Sequence, residues 1–267
     1  MHCFLIRRNL KFHHSSIRDK RKMKTSYYPS VFLLCLLVIL LSFCIASDAR
    51  AGSYDHLVLV YIWPNAFCSN KRVHCKTPVP QNFTVHGLWP TDKTGKTLVY
   101  CNKSGSISSA LSKYEKQLAN AWPSLRRDLA NRELWQYQWE KHGTCVLPKM
   151  TVLQYLQVII TQARRFDFVR ALKKNGITTN GALSYSRKTV EASIREEIGG
   201  RHFYISCQKS RKGVLVIKEI YICLDGNTVI SCPYIDNQRG CGGGGGGGGG
   251  GKNISLGFTA ASSRIYA

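Results

Sequence analysis

LVLVYIW, residues 57–63, is apolar throughout and rich in β-branched and aromatic side chains, and Pro64 with Asn65 closes it. A run of that length and composition, ended by a turn signal, predicts a buried strand. Downstream, Phe83–Trp89 predicts a second strand, closed by Pro90. A polar loop with glycine and serine follows. Helical spacing then predicts helices over Ser109–Asn120 and from near Leu125 to His142. Thr151–Lys174 carries Val152, Tyr155, Leu156, Ile159, Ile160 and Ala163 at helical intervals, capped by Thr151 and stopped by Asn175 and Gly176. Thr189–Ile198 predicts one more short helix. Phe203–Cys207 and Val214–Leu224 predict two further strands. Strand, helices, then strands describes an α+β domain over residues 52–241, and the order excludes an alternating doubly wound sheet.

Both ends of the chain differ in kind from this middle. Val31–Ala46 (VFLLCLLVILLSFCIA) is an apolar run behind Arg18, Lys20, Arg21, Lys22 and Lys24, and Ala46, Ala49 and Ala51 follow it. Charged region, apolar region and small-residue site make residues 1–51 a secretory signal. A membrane anchor is disfavoured, since spanning takes about 20 apolar residues. Met23 would make a more ordinary start, which leaves residues 1–22 open to being a mis-chosen one. At the other end, Gly242–Gly251 is an unbroken run of glycine before a polar stretch. Glycine loses the most backbone freedom on folding and buries no side chain. Residues 242–267 are therefore expected to form a flexible tail outside the fold.

The chain holds 38 Lys+Arg against 15 Asp+Glu, and residues 1–51 contain nine of the former and two of the latter. The remainder keeps 29 against 13, an excess that suits a polyanionic partner: RNA, DNA, an acidic glycan or an anionic membrane surface. Eight of the 11 cysteines lie beyond the leader: Cys68, Cys75, Cys101, Cys145, Cys207, Cys223, Cys232 and Cys241. An even count behind a signal peptide implies disulfides, with about 105 pairings open. No Cys-x-x-Cys pair occurs, which excludes a zinc ribbon. Sequons begin at Asn82, Asn102 and Asn253 and are compatible with glycosylation.

Five histidines lie beyond residue 51. His56, His74 and His202 read as surface or partly buried residues, and basic pairs such as Lys71-Arg72 and Arg164-Arg165 as solvated charge. His86 sits in FTVHGLWP and His142 in WEKHGTC, at the end of a predicted helix. On that helix Gln138, Lys141 and His142 share one surface, while Trp135 and Trp139 face the core. Cleaving RNA through its own 2′-hydroxyl needs a base, an acid and a cation for the charge on phosphorus. Histidine suits both proton transfers and lysine the charge. On residue types alone a histidine before glycine is more often structural than catalytic. A metal site built on His86 and His142 lacks further ligands of the right type, so no metal or cofactor is expected.

FTVHGLWP (residues 83–90) and LWQYQWEKHGTC (residues 134–145) resemble, in order, the two active-site segments of the T-two family of secreted ribonucleases. The resemblance covers roughly Tyr54–Cys241. It implies a central antiparallel sheet flanked by helices, stapled as Cys68–Cys75, Cys101–Cys145, Cys207–Cys241 and Cys223–Cys232. It implies His142 as general base, His86 as general acid, Lys141 and Gln138 at the phosphate, and Trp89, Thr91, Leu134 and Tyr137 at the substrate. The product implied is a 2′,3′-cyclic phosphate, formed without metal by a secreted monomer that holds no membrane. High basicity and the Asn82 sequon resemble most the plant S-RNases, for which pollen F-box proteins are the implied partners. A ribonuclease of defence or phosphate salvage is the alternative role. Where active relatives carry His-Glu, this chain has Tyr137-Gln138, which implies a reduced rate. It also keeps open a catalytically silent RNA-binding protein on the same scaffold. Thr91 replaces an aspartate common in the family, with Asp92 beside it, which leaves base preference open.

Overall fold

A computed structural model describes residues 53–102, 105–178, 183–210, 213–233, 241 and 253–255. The chain divides into two units, residues 1–44 and 45–267, and every described residue belongs to the second. The expected signal segment, and all of the expected tail except residues 253–255, lie outside the described residues.

The elements run β1 (His56–Ile62), α1 (Pro64–Cys68), β2 (Thr84–Thr91), α2 (Ser108–Ala121) and α3 (Asn131–Lys141). A 3-10 turn at Gly143–Val146 leads to α4 (Val152–Arg165), α5 (Phe168–Lys174), β3 (Ser184–Ser186) and α6 (Arg187–Glu197). Then come β4 (Tyr204–Lys209), β5 (Leu215–Asp225), β6 (Thr228–Ile230) and β7 (Asn253–Ser255). β1 is buried along its whole length and pairs antiparallel with β2 on one side and β5 on the other. β4 and β6 also pair with β5, antiparallel. β7 joins β3 antiparallel and touches β5 by one parallel bridge at Val216.

Alternation along the strands separates two faces. Leu57, Leu59 and Tyr61 of β1 join Val85 and Leu88 of β2 and Ile220, Ile222 and Leu224 of β5 in the main core. Trp135, Trp139, Tyr155, Leu156, Ile159 and Phe168 pack there from the helices. On the opposite face Val58, Val60, Cys223 and Cys232 form a smaller cluster beneath Trp89, Tyr204 and Tyr221. Two bulges interrupt the alternation. Val60 pairs with Gly87 and Tyr61 with Val85, which leaves His86 without a partner on β1. Ser206 pairs with Glu219 and Cys207 with Ile217, which leaves Lys218 unpaired on β4. Each bulge lets two core residues stand three apart, Val85 with Leu88 and Ile217 with Ile220.

The structure corrects several boundaries. β2 runs through Pro90 because it is the edge strand: the Pro90 carbonyl points outward to Leu98 N, 2.8 Å away, so the missing N–H faces outward too. The helix expected from near Leu125 begins at Asn131, since Leu125–Arg127 bond to His74–Lys76 instead. Glu133 then accepts from Ala130 N at 2.7 Å and fixes the helix start. The long helix expected over Thr151–Lys174 is two. Phe166 is extended, and the Asp167 carboxylate accepts from Arg170 N at 3.0 Å to cap α5. The break turns Phe168 onto Tyr61, with ring centroids 5.0 Å apart. The start and stop expected at Thr151 and Asn175 both hold.

The four disulfides are Cys68–Cys75, Cys101–Cys145, Cys207–Cys241 and Cys223–Cys232. Among the described residues no helix is long and apolar enough to cross a membrane. One expectation changes over the three tail residues that are described. Residues 253–255, assigned to a tail outside the fold, form β7, and Ile254 is fully buried in the main core. Truncating Ile254 to alanine should therefore destabilise the domain by about 2–4 kcal/mol. Urea unfolding would measure it, and a midpoint unchanged from the parent would return the segment to the tail.

Candidate active site

The bulge on β2 and the last turn of α3 bring His86 and His142 to a single indole. The Trp89 ring stacks on His142 with centroids 5.1 Å apart and planes at 25°. It meets His86 edge-on at 5.2 Å. From the helical side Trp122 Nε1 donates to the His86 carbonyl at 3.0 Å and holds the bulge. Glycine follows each histidine for a steric reason. A Cβ on Gly87 would lie 2.5 Å from both Gln138 Oε1 and Trp89 Nε1, and one on Gly143 would run into the Trp139 ring.

Gln138 is almost wholly buried, and its Oε1 accepts from Trp89 Nε1 at 3.3 Å. That fixes which way the amide points and leaves its N–H2 as a donor. Lys141 sits one turn on, its Nζ 5.5 Å from the centre of the exposed Tyr137 ring. His142 caps the helix and is itself 4% exposed. Its Nδ1 lies 3.3 Å from the Leu98 carbonyl, which can only accept, so Nδ1 carries the proton and Nε2 the lone pair. The Cys101–Cys145 disulfide and a 2.8 Å bond from Tyr100 N to Lys141 O tie the Leu98 loop to this turn.

The two imidazoles sit in different surroundings. Burial, foremost, drives His142 down to about 4; the Lys141 and His86 charges add to this and the Leu98 carbonyl opposes it. His86 Nδ1 instead lies 2.8 Å from Glu219 Oε1. Glu219 is 3% exposed, and its Oε2 accepts from Ser206 Oγ at 2.9 Å and from Tyr221 OH at 2.7 Å. Burial alone would raise this carboxyl. The hydrogen bond and charge of His86, the Tyr221 hydroxyl and Lys218 outweigh it and hold the group at about 2. Glu219 is thus a carboxylate whenever the protein is folded near neutrality, and it holds the His86 ring through Nδ1.

Sequence reasoning missed Glu219. The available signal was an acid inside the apolar run of β5, where a charge needs a partner. It also undervalued His56, which is 2% exposed. His56 and Thr91 line a cavity of about 330 Å³ with Val58, Trp89, Tyr204 and Tyr221. Of the other residues expected at substrate, Leu134 is half-buried against the main core and Tyr137 faces outward near Gln136 and Glu140. Neither lines the Trp89 cavity. The Asp92 carboxylate is turned into its own loop, accepting from Thr94 N at 2.8 Å and Lys96 N at 3.0 Å. Among the described residues no group of three or more His, Cys, Asp or Glu is placed to hold a metal.

A model of the Ribonuclease T2 family matches residues 54–232. Ribonuclease 1 of Arabidopsis thaliana is 31% identical over 220 residues, which is 80% of this chain and 94% of that protein. Ribonuclease S-2 of Nicotiana alata is 32% identical over 226 residues, 82% of this chain and 95% of its own. The crystal structure of the SF11-RNase of Nicotiana alata, associated with gametophytic self-incompatibility, superposes with a TM-score of 0.60 at 25% identity. It covers 77% of this chain and all of that one.

Proton NMR titration should place the His142 imidazole midpoint near about 4. The unfolded chain binds that proton more tightly than the folded one, so protonation favours unfolding. Stability is fully present above 6.5 and falls as pH drops towards about 4. Glu219 adds a second loss between 4.5 and about 2. An ordinary His142 midpoint, or stability flat across this range, would contradict the burial described.

Proposed function

Because the chain belongs to the Ribonuclease T2 family, we propose that it cleaves single-stranded RNA by transfer to the 2′-oxygen, with His142 as base and His86 as acid. The observation that carries this is the opposed setting of two imidazoles on one indole: His142 buried and neutral, His86 held by a buried carboxylate. His142 Nε2 takes the 2′-hydroxyl proton, and the 2′-oxygen forms a bond to phosphorus. The bond from phosphorus to the 5′-oxygen breaks, and His86, its Nδ1–H fixed on Glu219, gives its Nε2 proton to that oxygen. Lys141 and the Gln138 N–H2 are assigned to the non-bridging oxygens, where charge grows in the transition state. The product is a 2′,3′-cyclic phosphate, and no metal enters the scheme. Gln138 contributes a donor without the charge of the family's glutamate, so the rate is reduced but not abolished. Turnover above that of the histidine variants is what distinguishes an active enzyme from a silent RNA-binding scaffold.

The finer role we assign is that of a secreted pistil ribonuclease of self-incompatibility. Its supports are the basic sequence beyond the leader, the exposed side chains of Asn82 and Asn102, each of which begins a sequon, and the likeness to the Nicotiana S-2 ribonuclease. Pollen F-box proteins would then be partners. The comparable likeness to Arabidopsis Ribonuclease 1 favours, as a second reading, a role in defence or phosphate salvage. Protein confined to the pistil supports the first role; induction by phosphate starvation elsewhere in the plant supports the second.

Purified protein in EDTA should convert a short RNA to 2′,3′-cyclic phosphate, followed by phosphorus NMR. His86→Ala and His142→Ala should each lower kcat by about 10²–10⁴-fold. The acid limb of the pH profile should lie near about 4, activity rising as His142 loses its proton. Cleavage at parental rates in either variant would sink the two-histidine scheme.

A further inference from the structure

His56 and Thr91 stand directly opposite each other across the β1–β2 pair, on the face that carries Trp89. Opposed side chains of an antiparallel pair have Cβ atoms about 5 Å apart. Each is only 2% exposed, and each lines the cavity beside the Trp89 ring. Their hydrogen atoms are already committed elsewhere. His56 Nδ1 lies 2.9 Å from Asp55 Oδ2, so the neutral ring places its proton there and keeps a lone pair on Nε2. The Thr91 hydroxyl donates to the Trp89 carbonyl at 3.1 Å, which leaves its oxygen as an acceptor. The neighbouring acid is absent from this wall, since Asp92 is engaged by its own loop. The cavity therefore offers two adjacent acceptors under an aromatic edge.

We propose that His56 is a specificity-determining residue: with Thr91 it selects, in the Trp89 cavity, a base whose edge presents adjacent N–H donors. Guanine fits best, since N1–H and the N2 amino group lie side by side. Adenine and cytosine offer one amino group beside a ring acceptor. Uracil has a single N–H between two carbonyls, which would face the two acceptors unfavourably. The proposal rests on this cavity being where a base binds.

The test is calorimetric binding of GMP, AMP, CMP and UMP to the full protein at mildly alkaline pH, where a histidine is neutral. Indole NMR signals of Trp89 report occupancy of the cavity. His56→Phe keeps the ring and removes the acceptor, and His56→Gln restores one. GMP should bind the parent about tenfold tighter than UMP, the advantage should fall to about twofold in His56→Phe, and His56→Gln should recover part of it. An unchanged ranking in His56→Phe, or a parent that prefers UMP, overturns the proposal. Should His56→Phe not fold, His56→Gln decides alone: a GMP preference equal to or below that of UMP, with Trp89 still shifted, overturns it. Cleavage of RNA without any Trp89 shift removes the base-site reading and this proposal with it. The expected selectivity without cleavage sustains the proposal and removes the enzyme reading instead.

Discussion

A strand turns successive side chains to opposite faces, so Val85 and Leu88 cannot both reach the core unless a residue between them leaves the ladder. His86 is that residue. Packing three apart on β2 forces a bulge, and the bulge moves an imidazole out of the regular pattern towards Glu219, one strand beyond β1. The same demand on Ile217 and Ile220 produces the bulge at Lys218, which sets Glu219 on the open face beside Ser206. The reactive geometry is thus a consequence of how apolar residues are spaced, with Trp122 and Tyr155 bonding the β2 carbonyls of His86 and Leu88 from the helical layer.

Electrostatics then separates two residues of one type. Both histidines touch Trp89, yet one is dried by burial at a helix end and the other leans on a carboxylate. Glu219 can remain ionised at 3% exposure because three donors surround its two oxygens: His86, Ser206 and Tyr221. Removing any of them leaves a buried charge short of a partner, so these residues act as one unit.

Much of this was legible in the sequence. The strand at residues 57–63, the Trp135/Trp139 stripe and the two histidine segments each carry a local signal strong enough to survive folding. The cysteine pairs matched because the resemblance specified them, whereas the count alone did not. What escaped was non-local. Nothing near Asp167 says that a helix must break so that Phe168 meets Tyr61. Ile254 follows a run of glycine, and its burial depends on β3 and β5, distant along the chain. Glu219 reads as an interruption in an apolar strand until β2 supplies His86. His56 looked ordinary because its neighbour Thr91 lies 35 positions away in the chain and opposite it in the sheet.

Because the helices cover one face of the sheet and the chemistry occupies the other, β1 is written in two interleaved alphabets. Leu57, Leu59 and Tyr61 spell the core; His56, Val58 and Val60 spell the open face. Evolution can edit the second alphabet letter by letter without repacking the first, which gives a cavity able to drift in what it accepts while the architecture stands still. The arrangement tolerates substitution and forbids insertion: one extra residue in β1 would exchange the alphabets, and the fold and its reactive face would be lost together.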